Sequence, residues 1–69
     1  MTNLLIGQRI KELRLSKKLT QQELANRIGV TTSAIGMYEL SKRKPSYKVI
    51  VKMAIFFNVS VDYLIGLNR

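Results

Sequence analysis

The chain has 69 residues, of which twelve are Lys or Arg and four are Asp or Glu, so its net charge is +8. An apolar fraction of 46% supports one small folded core, and so basic a domain is expected to bind an anionic partner, with nucleic acid ahead of a membrane surface. The chain contains no cysteine and no histidine, and its four acids are not spaced like a catalytic pair or a metal cage, so we predict a non-enzyme without metal or cofactor.

The first predicted helix runs from about Asn3 or Leu4 to Lys17. Its apolar stripe repeats at i, i+4 and i+7 and consists of Ile6, Ile10 and Leu13. Four polar residues are expected on the solvent side: Gln8, Arg9, Lys11 and Glu12. Gly7, near the start, weakens the helix by about 1 kcal/mol relative to alanine. Leu19 follows the helix and is expected to enter the core.

The next twenty residues have the pattern of two helices joined by a tight turn. Thr20 and Glu23 form a capping box at the start of a second helix, predicted over about Thr20–Ile28. Gly29 stands where a helix end favours a left-handed residue. Thr31 can cap a third helix, which is predicted to end at Glu39 or Leu40. The inward positions are Leu24, Ala25, Ile28, Ile35 and Tyr38. This layout is that of a helix-turn-helix.

The last third of the chain predicts a loop and two more helices. Pro45 cannot continue a helix, so the segment Leu40–Ser46 is expected to be a loop. Ser46 caps a fourth helix over about Tyr47–Phe57, and Asn58 can end it in the left-handed conformation. Its core face is Val49, Ile50, Met53, Ala54 and Phe57. A short fifth helix follows, with Ser60 as cap, Val61, Leu64 and Ile65 facing inward and Gly66 at the end. The predicted fold is all-α, five short helices around one core, in a single domain over residues 1–69.

The motif LTQQELANRIGVTTSAIGMYE, which ends at Glu39, resembles the DNA-binding core of the Cro/repressor helix-turn-helix family of phage and bacterial transcriptional regulators. The resemblance extends from Ile6 to about Gly66 and implies an XRE-like, lambda-repressor-like domain whose third helix enters the major groove of duplex DNA. The base-facing positions that it implies are Thr32, Ser33, Gly36 and Met37. None of these residues can bond a base in the bidentate manner of Gln or Arg, so we expect DNA shape and half-site spacing to contribute much of the specificity.

The resemblance also implies contacts with the DNA backbone and one internal ion pair. Gln21 matches a position that contacts phosphate and supports the base-reading residues. The cationic loop and the residues that begin the fourth helix are well placed for phosphates. The full predicted backbone set is Gln21, Thr31, Lys42, Arg43, Lys44, Ser46, Tyr47 and Lys48. The family commonly pairs an arginine with a glutamate at the end of the recognition helix, and the matching residues are Arg14 and Glu39. The alternative is two unconnected surface charges.

The fourth helix carries more apolar residues than its core face uses. These residues, together with one that follows the fifth helix, form a candidate surface of Val51, Ile55, Phe56 and Leu67. Such excess apolar area suggests a partner. Because two-fold dimers in this family commonly form through the region of helices four and five, we interpret this surface as a dimer contact. The alternative is that the N-terminal segment Met1–Leu5 covers it.

Together these features predict sequence-specific binding of double-stranded DNA by a transcriptional regulator. It is expected to be a repressor that binds an inverted repeat as a homodimer and occludes a promoter. One alternative is an antitoxin-like or antagonist protein-interaction module that binds DNA only secondarily, and another is a non-specific binder of RNA or an anionic membrane. The sequence has neither a membrane span nor a secretion signal, which favours the cytoplasm. Both a complete Cro-like protein and the N-terminal domain of a longer repressor remain open.

Overall fold

The computed structural model describes residues 2–67, with side chains from residue 6 onward, and all regular structure within that range is helical. The helices are α1 Thr2–Ser16, α2 Gln21–Ile28, α3 Thr32–Glu39, α4 Tyr47–Phe57 and α5 Val61–Ile65. This confirms the prediction of an all-α fold with five short helices. The bounds of α4 are those predicted, whereas α1 begins earlier than expected and ends one residue before Lys17. None of the described helices combines the length and hydropathy that a bilayer crossing requires.

Four of the helices begin at a hydroxyl residue that caps the helix. Each hydroxyl oxygen accepts a hydrogen bond from the backbone N–H three residues later, over 3.0 Å in α2 and α3, 3.3 Å in α4 and 2.9 Å in α5. These caps are Thr20, Thr31, Ser46 and Ser60. Glu23 completes the capping box by accepting from the Thr20 N–H at 2.8 Å. The left-handed ends predicted at Gly29 and Asn58 are present, and Gly66, which was predicted to end α5, is also left-handed.

One buried cluster draws side chains from all five helices. Its five largest fully buried members come one from each helix and are Ile10, Leu24, Ile35, Met53 and Leu64. Four valines, one leucine, one isoleucine and one phenylalanine at the rim are half-buried against this cluster. Leu19 is half-exposed and does not belong to the cluster. The expectation that Leu19 enters the core is therefore wrong, because the turn after α1 holds its backbone, rather than its side chain, against the protein.

The helix α1 contacts α3 and α5 in two ways that the apolar stripe did not indicate. Gly7 is buried, and a Cβ at this position would overlap the Tyr38 carbonyl oxygen and lie 3.1 Å from that of Glu39. Only glycine therefore allows α1 to approach the end of α3 so closely. Arg9 was expected on the solvent side, and this is wrong. Its guanidinium lies 4.1 Å from the centroid of the Tyr63 ring and donates to the Tyr63 carbonyl oxygen.

Candidate nucleic-acid interface

The turn between α2 and α3 is closed by backbone hydrogen bonds around one glycine. Gly29 adopts φ 88° and ψ 34°, and its N–H donates to the Ala25 carbonyl at 2.8 Å. The Val30 N–H donates to the same carbonyl at 3.1 Å. A left-handed residue is needed here to bring both N–H groups to one acceptor, and glycine adopts this conformation without steric strain. The turn therefore fixes the direction in which α3 leaves α2.

The helix α3 has one buried and one outward surface. Its buried side chains are Ala34, Ile35 and Tyr38. The four predicted base-reading residues share the opposite surface, where Thr32 and Ser33 are exposed and Gly36 and Met37 are half-exposed. Because α3 has no acidic residue in its first turn, this surface presents small neutral groups and the positive end of the helix dipole. Such a surface suits the floor of a nucleic-acid groove.

A buried ion pair anchors the end of α3 to α1. The Arg14 Nε lies 2.6 Å from Glu39 Oε2, one terminal nitrogen donates to Glu39 Oε1 at 3.1 Å, and the side chains are only 10% and 3% exposed. The other terminal nitrogen donates to the Leu19 carbonyl at 2.8 Å. The hydrogen bond to Glu39 raises the pKa of Arg14 above its usual value. The two residues are therefore a bidentate pair and not unconnected surface charges.

Gln21 connects the start of α2 to the same anchor. Its side-chain nitrogen donates to Glu39 Oε1 at 3.1 Å. The amide also lies beside Gly36, since a Cβ on Gly36 would be 3.8 Å from both Nε2 and Oε1 of Gln21. The structure thus places Gln21 against the outward surface of α3, where the family resemblance expected it to support the base-reading residues. The contact depends on the absence of a side chain at position 36.

The basic loop begins where α3 ends. The N–H groups of Lys42 and Arg43 both donate to the Met37 carbonyl, at 2.9 Å and 3.3 Å. Lys42, Arg43 and Lys44 are exposed, whereas Pro45 is buried and fixes the far end of the loop. The predicted backbone-contacting residues that follow are also exposed: Ser46, Tyr47 and Lys48. The loop backbone is held to the protein while its cationic side chains face solvent.

The net charge of +8 is carried by the surface, because the buried ion pair removes one charge of each sign. Glu23 and Glu39 are bound within the protein, in the capping box and the ion pair. Among the described residues, Glu12, Glu23 and Asp62 are exposed, and Glu23 is bound to the backbone of the α2 cap. Within residues 2–67, no cluster of three acids, cysteines or histidines could hold a metal ion. The cations therefore have few carboxylates to neutralise them.

The candidate dimer residues are divided between two grooves. Ile55 and Phe56 line one groove, together with Arg27, Ile28 and Lys52. Leu67 lines another, whose remaining lining residues are Ile6, Lys44, Pro45, Tyr47, Ile50, Val61 and Ile65. Val51 is half-buried and lines neither groove. The dimer contact of these residues stays a prediction. The alternative cover, Met1–Leu5, lies outside the residues whose side chains the structure describes.

Comparison with known proteins identifies the same helix-turn-helix motif and a class of proteins that contains it. Residues 10–64 match the helix-turn-helix family model. An HTH-type transcriptional regulator of Bacillus subtilis, YobD, is 43% identical over 61 residues, which are 88% of this chain and 54% of that protein. The chain spans about half the length of the curated relatives it matches. These relatives are transcriptional regulators, in agreement with the prediction of a non-enzyme.

Two solved structures superpose closely on the fold. The P22 c2 repressor in complex with synthetic operator 9T has a TM-score of 0.86 at 30% identity, over 93% of this chain and 97% of that chain. The N-terminal DNA-binding domain of SinR from Bacillus subtilis has a TM-score of 0.81 at 35% identity, over 94% of this chain and 93% of that domain. The first of these proteins was solved on its operator, and the second is described as a DNA-binding domain.

Proposed function

The chain belongs to the Cro/repressor-type helix-turn-helix family of DNA-binding transcriptional regulators, and from that premise we propose that it represses transcription by binding an inverted-repeat operator and occluding a promoter. Residues 1–69 act as one DNA-binding domain in this proposal, and binding alone, without a cofactor, is the mechanism. The observation that supports it most is the outward surface of α3, where four small or flexible residues lie opposite the buried side chains.

In the proposed complex, α3 lies in the major groove, which admits an α-helix and displays a distinct pattern for each base pair. The hydroxyls of Thr32 and Ser33 each supply single hydrogen bonds to base edges. Met37 and the threonine methyl groups pack on thymine methyls. Because these contacts are few, the stiffness and groove width of the operator supply a further part of the specificity.

Phosphate contacts flank the groove on both sides of α3. Thr31 and Gln21 approach one strand, and the free N–H groups at the start of α4 offer a seat for a phosphate on the other. The loop cations at positions 42–44 and the exposed Ser46, Tyr47 and Lys48 complete the set. If five or six phosphates are neutralised per copy, the logarithm of affinity should fall with the logarithm of salt concentration at a slope of about −5.

A homodimer on DNA matches the dimensions of the domain. Its longest extent is 30 Å, and half-sites one helical turn apart are separated by about 34–36 Å, so two copies fit side by side on one face of the duplex. A two-fold contact sets each surface against itself. In the groove of Ile55 and Phe56 this would bring two cations, Arg27 and Lys52, towards their own copies. The groove that Leu67 lines has one, Lys44, so the repulsion there is smaller. We therefore place the dimer contact at the groove that Leu67 lines.

Selection of bound duplexes from a random DNA pool at moderate salt tests the proposal. The expected result is an enriched inverted repeat that binds at least about a thousandfold better than scrambled duplex. The spacing of its half-sites then gives the geometry of the dimer. Salt-sensitive binding without enrichment would contradict sequence-specific repression and would instead support a non-specific binder of nucleic acid.

A second candidate, the antitoxin-like or antagonist module, is favoured by one feature. Ile55 is 76% exposed and lies in an apolar groove bordered by Arg27 and Lys52. A partner protein covering this groove would make DNA binding secondary. The discriminating measurement is the affinity of the isolated protein for its enriched duplex. Nanomolar affinity without any partner supports the repressor, and recovery of affinity only on addition of a second protein supports the module.

A further inference from the structure

We propose that Gln21, although it belongs to α2, reads a base pair of the operator through the gap that Gly36 leaves in the surface of α3. The base that its chemistry fits is adenine. This inference rests on the proposed function and adds a specificity-determining residue to it, since the expected role of Gln21 was contact with a phosphate.

The gap at Gly36 is the first observation. On any other residue, the side chain would begin at the Cβ position, and at Gly36 that position is 3.8 Å from both polar atoms of the Gln21 amide. The amide therefore borders the place where a side chain of α3 would otherwise stand. Gly36 lies within the outward surface, between the exposed Ser33 and the half-exposed Met37. A base edge that approaches α3 here meets the amide of Gln21 rather than a side chain of α3.

The orientation of the amide is the second observation. Its nitrogen donates to Glu39 Oε1 at 3.1 Å. Since a carboxylate only accepts hydrogen bonds, this contact identifies which end of the amide is the nitrogen. Glu39 is itself fixed by the bidentate pair with Arg14. The amide is thus aligned before DNA arrives, which lowers the entropy lost on binding.

The remaining hydrogen-bonding capacity of the amide identifies the ligand. The bond to Glu39 uses one of its two N–H groups, which leaves the second N–H and Oε1. A donor beside an acceptor is the pattern that pairs with N7 and N6 of adenine in the major groove. A phosphate, in contrast, accepts hydrogen bonds only and would use no acceptor. The two roles of Gln21 therefore differ in whether Oε1 takes part.

Whether Oε1 takes part can be tested with two substitutions. In Gln21→Lys the ammonium keeps a donor for phosphate, and can still reach Glu39, but the acceptor is lost. In Gly36→Ala the added methyl group fits beside the amide in the free protein, because 3.8 Å is ordinary contact distance, yet it occupies the gap that the base edge must enter. Alanine is also the better helix former, so folding of this variant is not at risk. The two substitutions lie on different helices.

The experiment selects duplexes from one random pool with the native protein, Gln21→Lys and Gly36→Ala in parallel, and follows folding of each by circular dichroism. We expect both variants to enrich the native motif except at one A·T pair per half-site, the same pair for both. Discrimination at that pair should fall by about tenfold or more. Preference at all other positions should be retained.

Each other outcome overturns a stated part of the proposal. If Gln21→Lys enriches the native motif unchanged, with equal or higher affinity for every duplex, Gln21 contacts phosphate and the inference is wrong while the proposed function stands. If the variants lose preference at different pairs, the amide and the gap do not act together, and the inference is again wrong. If the native protein itself enriches no motif, the proposed function fails, and the inference fails with it.

Discussion

The pairs α2–α3 and α4–α5 are built by nearly the same local design. Each joins two helices through a left-handed residue, a valine and a hydroxyl cap, in the segments Gly29–Thr31 and Asn58–Ser60. In each turn the valine N–H donates to a carbonyl five residues earlier, over 3.1 Å in the first pair and 3.0 Å in the second. An arginine of α1 then holds the second helix, Arg14 in the case of α3 and Arg9 in the case of α5.

The pairs differ in what the second helix shows to solvent and in how firmly it is held. The helix α3 has eight residues, no acid in its first turn and a basic loop directly after it. The helix α5 has five residues and carries Asp62 in its first turn, which would repel a phosphate. The α1 arginine that holds α3 forms a buried bidentate pair, whereas the α1 arginine that holds α5 lies on a half-buried ring. The two pairs thus share a helix-turn-helix geometry, and they differ in the outward surface of the second helix and in its anchor.

The largest expected difference in stability is between loss of the Arg14 contact with α3 and loss of the Arg9 contact with α5. Arg14→Ala should lower the free energy of unfolding by about 3–5 kcal/mol, because it leaves the buried Glu39 carboxylate with the neutral Gln21 amide but without a cationic partner. Arg9→Ala should lower it by about 1–2 kcal/mol, since the lost ring contact and hydrogen bond are partly solvated. Urea denaturation of both variants measures the difference. As a control, Arg14→Met with Glu39→Leu removes both charges and should recover most of the loss. Equal losses for the two single variants would show that the anchors do not differ.

The next effect concerns how closely α1 approaches α3. Gly7→Ala should destabilise the protein by about 1–3 kcal/mol, because its Cβ meets a backbone carbonyl that cannot rotate away. Gly36→Ala is the matched control, as its Cβ fits at 3.8 Å and should add up to about 1 kcal/mol of helix stability. Thermal unfolding of the two variants and of the native protein measures both changes in stability. A higher melting temperature for Gly7→Ala would mean that α1 shifts without loss of packing.

Substitutions in the two turns should change stability by smaller amounts, and in opposite directions. Gly29→Ala should cost about 1–2 kcal/mol, because alanine is strained at φ 88°. Asn58→Gly should raise stability by a few tenths of a kcal/mol, since glycine adopts the left-handed conformation more readily than asparagine. Urea denaturation at one temperature compares both with the native protein. A loss of stability for Asn58→Gly would indicate that the asparagine side chain has a further role in the second turn.

The smallest expected change tests the roles assigned around α3. Arg43→Ala should weaken binding to every duplex by a similar factor and reduce the magnitude of the salt slope by about 1. Thr32→Ala should instead alter sequence preference while leaving the salt slope as it is. Fluorescence anisotropy on the enriched and scrambled duplexes, at several salt concentrations, separates the two behaviours. The same profile for both variants would mean that the division between backbone and base contacts is wrong.

The parts of the fold that the sequence predicted are those controlled by neighbouring residues. Caps and left-handed ends act within three to five residues, so the roles of Thr20, Ser46 and Asn58 could be recognised from the sequence. Periodicity likewise located the buried side of each helix. What it missed are contacts between distant segments. Gly7 looked like a weak point of α1, although it is the point at which α1 meets α3, and Arg9 looked solvated although it covers Tyr63.

The candidate site, too, was predictable where it depends on neighbouring residues and not where it depends on contacts between distant segments. The outward positions of α3 follow from helical geometry once its start is known, and the structure places all four on one surface. Arg14 and Glu39 came from family resemblance, because no local rule pairs residues 25 positions apart. The contact between Gln21 and Gly36 depends on the packing of α2 against α3, and the absence of a side chain leaves no pattern to detect. Apolar excess on α4 was visible, but the groove that Ile55 and Phe56 share with Arg27 and Lys52 was not.

The contact at Gly7 bears on how such proteins diverge. There the backbones of two helices meet, so position 7 tolerates one residue, and the placement of α3 depends on it. The outward residues Thr32, Ser33 and Met37 contribute neither to a cap nor to the buried cluster. After gene duplication, a few codon changes on that surface could retarget a daughter protein to a new operator while its fold is inherited intact. Under the proposed function, operator choice and foldability are thus largely separate heritable traits, and most of both is encoded on opposite sides of one eight-residue helix.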